Sequence, residues 1–215
     1  LLLSGNRGSL VVITHGYGGK PDAFIPLAET LSEHHDVLVY AQRGHRFVKG
    51  KPIGTFHLGR AIDDHQQIVS RFAEDYDSIG CFGFSTGATI AAYASQDTSA
   101  LYLANPFLDV RDIRYIGHVI SLVGSRVSHG LASIGNPKLE DLEVVIPTRI
   151  AIAETDLLIR NRGSDYERKF GVENVVLIPG NHCFNNKGDR YLGKEGSRVN
   201  TDLYDDISKF FGVHL

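Results

Sequence analysis

The chain has 215 residues, of which 42% are hydrophobic, with 22 basic and 25 acidic side chains. This length and composition fit one globular domain with a sizeable core over residues 1–215. The formal net charge of −3 gives no strong field for attracting nucleic acid or an anionic membrane surface, so we expect no nucleic-acid partner.

Apolar runs of strand length alternate along the chain with longer segments whose apolar residues recur at helical spacing. Six strands are predicted, at Ser9–Thr14, Asp36–Tyr40, Ser78–Phe84, Ala100–Ala104, Thr148–Ala153 and Asn174–Ile178. Four helices are predicted, at Ala23–His34, Leu58–Tyr76, Thr86–Ala94 and Thr201–Phe211. Because strands that alternate with helices form parallel sheets, the predicted fold class is α/β, with a mostly parallel sheet of about six strands flanked by helices.

Residues 106–146 interrupt this alternation. The segment is far longer than an ordinary connection, whose usual length is about 4 to 6 residues. Its apolar residues recur on one helical face, at Ile113, Ile116, Ile120 and Val123. We therefore predict a small lid-like insertion within the single domain, carrying an amphipathic helix.

No apolar run approaches the roughly 20 residues that are needed to span a bilayer, so no transmembrane segment is expected. The two cysteines, Cys81 and Cys183, cannot form a disulfide framework, which favours a cytoplasmic location. Cys81 lies in an apolar run and is predicted to be buried in a strand. The sequence contains no Met, even at position 1, so we expect that Leu1 is not the native start.

Residues 83–87 form a G-x-S-x-G sequence between a predicted strand and a predicted helix, the context that this motif requires. Gly83 and Gly87 leave room for a tight, strained strand-to-helix turn around Ser85. Such a turn exposes the serine hydroxyl at a helix N-terminus, where backbone N–H groups and the helix dipole favour negative charge. A Gly-Ser turn without chemistry is the alternative, but the strand-helix context favours Ser85 as a nucleophile.

A serine hydroxyl is a weak nucleophile until a base takes its proton, so a histidine and a carboxylate are expected later in the chain. Asp156 follows the strand that ends at Ala153, and His182 follows the strand that ends at Ile178. The order Ser, Asp, His is the one expected when a G-x-S-x-G serine is the nucleophile. We therefore predict Ser85 as nucleophile, His182 as base and Asp156 as the acid that orients the base.

Several other residues compete for these roles. Glu154 lies near the same strand end as Asp156, but its position closer to the strand predicts a local cap or ion pair. Cys183 adjoins the predicted base, and we interpret it as small packing because Ser85 already supplies a nucleophile. The remaining candidates are interpreted as surface or packing histidines: His118, His129 and His214.

Together these motifs resemble the α/β-hydrolase superfamily, most closely its branch of acylglycerol lipases, esterases and serine peptidases. Residues 15–19 resemble the family's His-Gly loop, and residues 42–45 resemble its Arg-Gly-His element. Ala41 and Gln42 replace a more usual Asp nearby, which bears on loop packing more than on catalysis. The resemblance covers nearly the whole chain, although the hairpin that precedes the first strand in most relatives is not expected here.

The resemblance implies an oxyanion hole made by the backbone N–H groups of Tyr17 and Thr86. His15 precedes the loop rather than facing the serine, so we interpret it as a structural histidine that anchors the loop by hydrogen bonds. His45 is interpreted in the same way.

The favoured function is a serine hydrolase, of the carboxylesterase or lipase type, that cleaves a small-molecule acyl ester through an acyl-enzyme. The apolar face of the insertion suggests a pocket for an apolar acyl group, although core packing explains those residues equally well. No metal or organic cofactor is implied. Two alternatives remain: an acyl-thioesterase, amidase or peptidase with the same three residues, and a non-catalytic ligand binder that retains the fold.

Overall fold

The computed structural model describes residues 1–5, 8–47, 51–52, 54–109, 138–156, 163–184 and 201–215. The predicted lid residues Ile113, Ile116, Ile120 and Val123 lie outside the described residues, as do His118 and His129. Most of the predicted insertion therefore lies outside the described residues.

One sheet organises the described part of the chain. Its strands are β1 (Leu2–Leu3), β2 (Ser9–Thr14), β3 (Asp36–Val39), β4 (Ser78–Phe84), β5 (Ala100–Ala104), β6 (Thr148–Ala153) and β7 (Val175–Ile178). They lie in the order β1-β3-β2-β4-β5-β6-β7. Every neighbouring pair is parallel except β1 and β3, which are antiparallel. The mostly parallel sheet predicted from the sequence is confirmed, and the two-residue strand β1 is an addition to the six predicted strands.

Helices connect and flank these strands. They are α1 (Ile25–Leu31), α2 (Leu58–Phe72), α3 (Thr86–Tyr93), α4 (Gly163–Phe170) and α5 (Thr201–His214). Short 3-10 helices lie at Pro21–Phe24, Leu139–Asp141 and Val172–Asn174. All four predicted helices form, and α4 is an addition. Among the helices of the described residues, none is both long and apolar enough to cross a membrane.

The core lies on both faces of the sheet. All six residues of β2 are buried, and alternate ones face opposite sides, with Val11 and Ile13 in one cluster and Leu10 and Val12 in the other. Helices α1 and α5 contribute to the first cluster, and α2, α3 and α4 to the second. A parallel sheet covered in this way has strands that are apolar throughout, which is why they are visible in the sequence.

Helix α2 packs on the core through a wider face than the sequence predicts. Of the predicted face, Val69 is buried, and Ile62 and Phe72 are partly buried against the core. The fully buried residues also include Leu58, Ala61 and His65. Histidine counts as a polar residue in the apolar periodicity of a helix, so the sequence does not predict that His65 is buried. The cost of burying this polar side chain is reduced by hydrogen bonds of its Nδ1 with Thr14 Oγ1 at 3.2 Å and with Tyr40 Oη at 3.0 Å.

Candidate active site

The turn at Ser85 joins β4 to α3 near the middle of the sheet. Ser85 has φ 54° and ψ −121°, a conformation that costs a non-glycine residue about 1 to 3 kcal/mol. Its neighbours hold it there, because the Ser85 N–H donates a hydrogen bond to the Ala104 carbonyl at 2.8 Å. The side chain is therefore presented on a fixed backbone at the carboxyl edge of the sheet.

The two glycines of the motif are required by close packing. A Cβ on Gly83 would lie 2.4 Å from the Ala88 Cα, and one on Gly87 would lie 2.1 Å from the Thr14 carbonyl oxygen. Helix α3 therefore packs directly against the ends of β4 and β2. This arrangement brings the N-terminus of α3 close to the serine, as the motif predicts.

Ser85, His182 and Asp156 are joined by hydrogen bonds. The distance from Ser85 Oγ to His182 Nε2 is 3.0 Å, and that from His182 Nδ1 to Asp156 Oδ2 is 2.7 Å. A carboxylate can only accept, so Nδ1 carries the proton and Nε2 accepts from the Ser85 hydroxyl. In this tautomer His182 can take the proton from the serine, and the resulting imidazolium would be stabilised by the carboxylate.

The two rival acids differ in burial and position. The Asp156 side chain is 3% exposed and contacts His182, whereas Glu154 is exposed. The Glu154 N–H donates to the Ile178 carbonyl, which continues the pairing of β6 with β7 beyond the strand. This register leaves Asp156 at the turn that faces the histidine.

Aromatic side chains surround the imidazole. Phe84 lies 5.4 Å and Phe107 lies 6.1 Å from the His182 ring, measured between ring centroids. The His182 side chain is 13% exposed. Packing on these sides limits the ring to few orientations, and partial exclusion of water strengthens its hydrogen bonds.

The His-Gly loop runs alongside the serine. A Cβ on Gly16 would lie 3.1 Å from the Ser85 Cβ, which is tighter than most real contacts, so a glycine favours this approach. Tyr17 follows immediately, and the loop turns back through a hydrogen bond from the Gly19 N–H to the Gly16 carbonyl. Thr86 is the first residue of α3, so its N–H has no acceptor within the helix. Of the two residues predicted for the oxyanion hole, Thr86 thus adjoins Ser85 in the chain, and Tyr17 follows the glycine that lies against Ser85.

His15 anchors the His-Gly loop by hydrogen bonds. It is buried, with its Nδ1 2.8 Å from the Gly16 carbonyl oxygen and its Nε2 accepting from the Gln42 N–H at 3.2 Å. The Gln42 side-chain amide also donates to the His15 carbonyl. Burial lowers the pKa of His15 to about 4, so the ring is neutral, as these hydrogen bonds require. Gln42 thus packs the two loops together, in agreement with the role predicted for this position.

His45 supports the same loop from the side. Its Nε2 accepts a hydrogen bond from the Gly18 N–H at 2.9 Å, and its Nδ1 lies 3.1 Å from the Arg43 carbonyl oxygen. Burial lowers its pKa, which favours the neutral form that can accept from Gly18. The rings of Tyr17 and Phe56 pack against it. His15 and His45 are therefore placed as loop supports, whereas the distant His214 packs on Phe210 within α5.

Sequence reasoning missed Asn105. Its side-chain Nδ2 donates to the His182 carbonyl at 2.8 Å, although the residue is distant in sequence. The position directly after a predicted strand is a weak signal, since Asn105 belongs to no motif. Among the described residues, no group of three or more His, Cys, Asp or Glu side chains is arranged to hold a metal ion.

Comparison with known proteins supports the fold. A family model described as the alpha/beta hydrolase fold matches residues 9–101, from β2 to the start of β5. None of the curated protein sequences compared with this chain matches it.

Solved structures resemble the chain over nearly its whole length. A monoacylglycerol lipase of Paleococcus ferrophilus has a TM-score of 0.68 at 12% identity, covering 100% of this chain and 98% of that one. An esterase of Pyrococcus furiosus has a TM-score of 0.63 at 20% identity, covering 97% and 84%. An a/b serine hydrolase without lid from Xanthomonas campestris has a TM-score of 0.67 at 15% identity, covering 99% and 84%. At such identities the likeness is one of fold.

Proposed function

We propose that the chain is a serine hydrolase of the α/β-hydrolase superfamily and that it cleaves carboxylic esters. The observation that carries the proposal is the chain of hydrogen bonds from Ser85 through His182 to Asp156. Ser85, at one end of this chain of hydrogen bonds, lies on a strained turn. The helix N-terminus that follows it stabilises an anion, and the histidine activates the serine as a nucleophile.

The first half of the proposed reaction acylates the serine. Ser85 Oγ attacks the ester carbonyl carbon while His182 Nε2 takes the hydroxyl proton, and the carbonyl oxygen becomes an oxyanion. The backbone N–H groups of Tyr17 and Thr86 stabilise that oxyanion. The carbon–oxygen bond to the leaving alcohol then breaks, and His182 delivers its proton to the alcohol.

The second half releases the acid. A water molecule gives a proton to His182 and attacks the acyl carbon, which forms a second oxyanion in the same site. Collapse of this intermediate breaks the bond to Ser85 Oγ, and the proton returns from His182 to the serine. Asp156 remains ionised throughout and stabilises the imidazolium. These proposed reaction steps require no metal or organic cofactor.

An apolar acyl group is the proposed substrate moiety. Aromatic rings pack beside His182 and beside the predicted oxyanion residue Tyr17, with Phe107 next to the first and Phe56 next to the second. The similar solved structures include a monoacylglycerol lipase and an esterase, and their names agree with an ester substrate without identifying one for this chain.

The insertion over residues 106–146 is proposed to shape the acyl pocket of a single domain. Its two described ends are held together, because the Leu139 N–H donates to the buried Asp109 carboxylate at 3.1 Å. The first end is also fixed to α3, where the Thr89 hydroxyl donates to the Phe107 carbonyl at 2.7 Å. This first end lies beside the proposed base, because the Phe107 and His182 ring centroids are 6.1 Å apart.

A substrate screen tests the proposed bond. Purified protein is assayed with p-nitrophenyl esters of graded acyl length, with acyl-thioesters and with aminoacyl amides, and Ser85→Ala serves as the blank for contaminating activity. We expect hydrolysis of the esters, with kcat/KM rising as the acyl chain lengthens to a medium size. A preference for thioesters or amides would replace the ester assignment, and activity on none of them would favour a ligand-binding role.

A further inference from the structure

The carboxyl end of β5 is hydrogen bonded to every element that carries a proposed catalytic residue. The Ala104 carbonyl accepts from the Ser85 N–H at 2.8 Å, and the Asn105 N–H donates to the Ala151 carbonyl of β6 at 2.8 Å. The Asn105 side chain adds two more bonds. Its Oδ1 accepts from the Ala153 N–H at 2.8 Å, and its Nδ2 donates to the His182 carbonyl at 2.8 Å.

These two side-chain bonds suit the amide of asparagine at position 105. The amide must accept with one atom and donate with the other, which a carboxylate and an aliphatic side chain cannot do. Asn105 also has φ 47°, a left-handed conformation that asparagine tolerates better than most residues. The residue is 1% exposed, so water cannot replace either partner.

His182 depends on such an anchor because it lies beyond the sheet. The chain leaves β7 after Ile178, and the side chains that bond to the backbone carbonyls of the following turn include those of Thr155 and Asn105. The exposed Thr155 donates its hydroxyl to the Gly180 carbonyl at 2.7 Å, whereas the buried Asn105 bonds to His182 itself. A hydrogen bond in the less polar interior is stronger than one at the surface, so Asn105 is the firmer of the two supports.

We propose that Asn105 is a positioning residue for the hydrolase reaction, which fixes the His182 backbone relative to Ser85 and to the strand that leads to Asp156. The proposal rests on the proposed function. The His182 Nε2 atom lies 3.0 Å from Ser85 Oγ. This distance is kept only while the turn that carries His182 stays fixed relative to the end of β5. A misplacement of about 1 Å in a catalytic group can cost about 100-fold in rate.

Two variants separate this role from one in stability alone. Asn105→Asp keeps the shape and the acceptor for Ala153 but cannot donate to His182 while ionised. Asn105→Gly removes both side-chain bonds and accommodates φ 47° without strain. Ser9→Ala is the matched control, because it removes a buried 2.7 Å hydrogen bond to His35 at the amino end of β2, away from the site.

The measurements are kcat and KM on the best p-nitrophenyl ester, the rate of labelling by a fluorophosphonate, and the denaturation midpoint. For both Asn105 variants we expect kcat and the labelling rate to fall about 10- to 100-fold, with KM within about twofold of the wild type. Ser9→Ala should keep wild-type kcat. If Asn105→Asp fails to fold, Asn105→Gly gives the same comparison.

The outcomes distinguish this inference from the function on which it rests. Variants that fold and keep wild-type kcat and labelling rate would overturn the positioning role, even if their midpoints fall. A rise in KM with kcat unchanged would also overturn it, because the residue would then affect binding and not the reacting groups. A wild-type protein that neither hydrolyses esters nor reacts with the probe would instead overturn the proposed function.

Discussion

Asp156 and Glu154 show how a difference of two residues in position separates two acids of similar chemistry. Both follow β6, and the sequence favours Asp156 only because it lies further from the strand. The structure adds a physical reason, since the Glu154 N–H continues the pairing with β7 and Asp156 is left at the turn that faces His182. The buried carboxylate is stabilised there by the imidazole N–H.

Asp156→Asn should lower kcat by about 10⁴-fold while the protein stays folded, as the equivalent change does in a serine protease, because an amide permits the wrong histidine tautomer. Glu154→Gln is the matched control and should change kcat by less than about twofold, since an exposed side chain loses only a screened charge. Steady-state kinetics on one ester compares the two variants. The reverse order of effects would assign the acid to Glu154.

Strands and helices differ in how well the sequence predicts them. The strands from Ser9–Thr14 to Thr148–Ala153 are visible because both faces of the sheet are covered, which demands continuous apolar runs. Helix α4 escapes prediction because its eight residues place only Tyr166 and Phe170 against the core, and a single i, i+4 pair is too short to show a period. Strand β1 escapes because two residues are too few to show a pattern.

Helix α5 is held to the sheet by contacts that the sequence does not reveal. The sequence predicts the apolar face of this helix, but it does not predict the ion pair between Asp206 and Arg149. Asp206 accepts from the Arg149 guanidinium of β6 at 2.6 Å and from the Tyr102 hydroxyl of β5 at 2.7 Å. These partners are far apart in the chain, so only the fold brings them together.

Asp206→Ala should lower the free energy of unfolding by about 3 kcal/mol, because it leaves a partly buried guanidinium and a buried hydroxyl without their acceptor. Asp75→Ala breaks the exposed pair with Arg71 and should cost less than about 1 kcal/mol. Urea denaturation of both variants measures the difference. Equal losses would show that Asp206 does not anchor the helix.

The whole molecule gathers its site from loops at one edge of the sheet, and the parts of that site differ in how far the sequence predicts them. The serine turn and the His-Gly loop carry local signals, since glycines are required where backbones approach closely. The order of Ser85, Asp156 and His182 also follows from the motif. Asn105 has no such signal, because its two side-chain bonds join strands and loops that meet only in the folded chain.

Buried neutral histidines make the stability of the whole molecule sensitive to acid. Burial lowers the pKa of both His15 and His65 from 6.5 to about 4. His65 Nε2 is buried without a hydrogen-bond partner among the described residues, so its protonation would place an unpaired donor in the core. The unfolded chain binds these protons below pH 6.5 and the folded chain does not, so stability falls as the pH drops from 6.5 towards 4.

Each of these two histidines should lower the free energy of unfolding by roughly 3 kcal/mol as the pH falls from 6.5 to 4. His65→Gln cannot titrate and should flatten the dependence of the urea midpoint on pH, whereas a change at the exposed His214, such as His214→Asn, should leave it as in the wild type. Midpoints are measured between pH 7 and pH 4.5. A His65→Gln curve parallel to that of the wild type would contradict the assignment.

Covalent labelling tests the role of Ser85 most directly. A fluorophosphonate reacts with a serine that an adjacent base has activated, and mass spectrometry of the labelled peptides identifies the residue. We expect a single adduct on Ser85 in the wild type, no adduct in Ser85→Ala, and an adduct formed far more slowly in His182→Ala. An adduct on another residue, or labelling that persists in folded Ser85→Ala, would show that the nucleophile lies elsewhere.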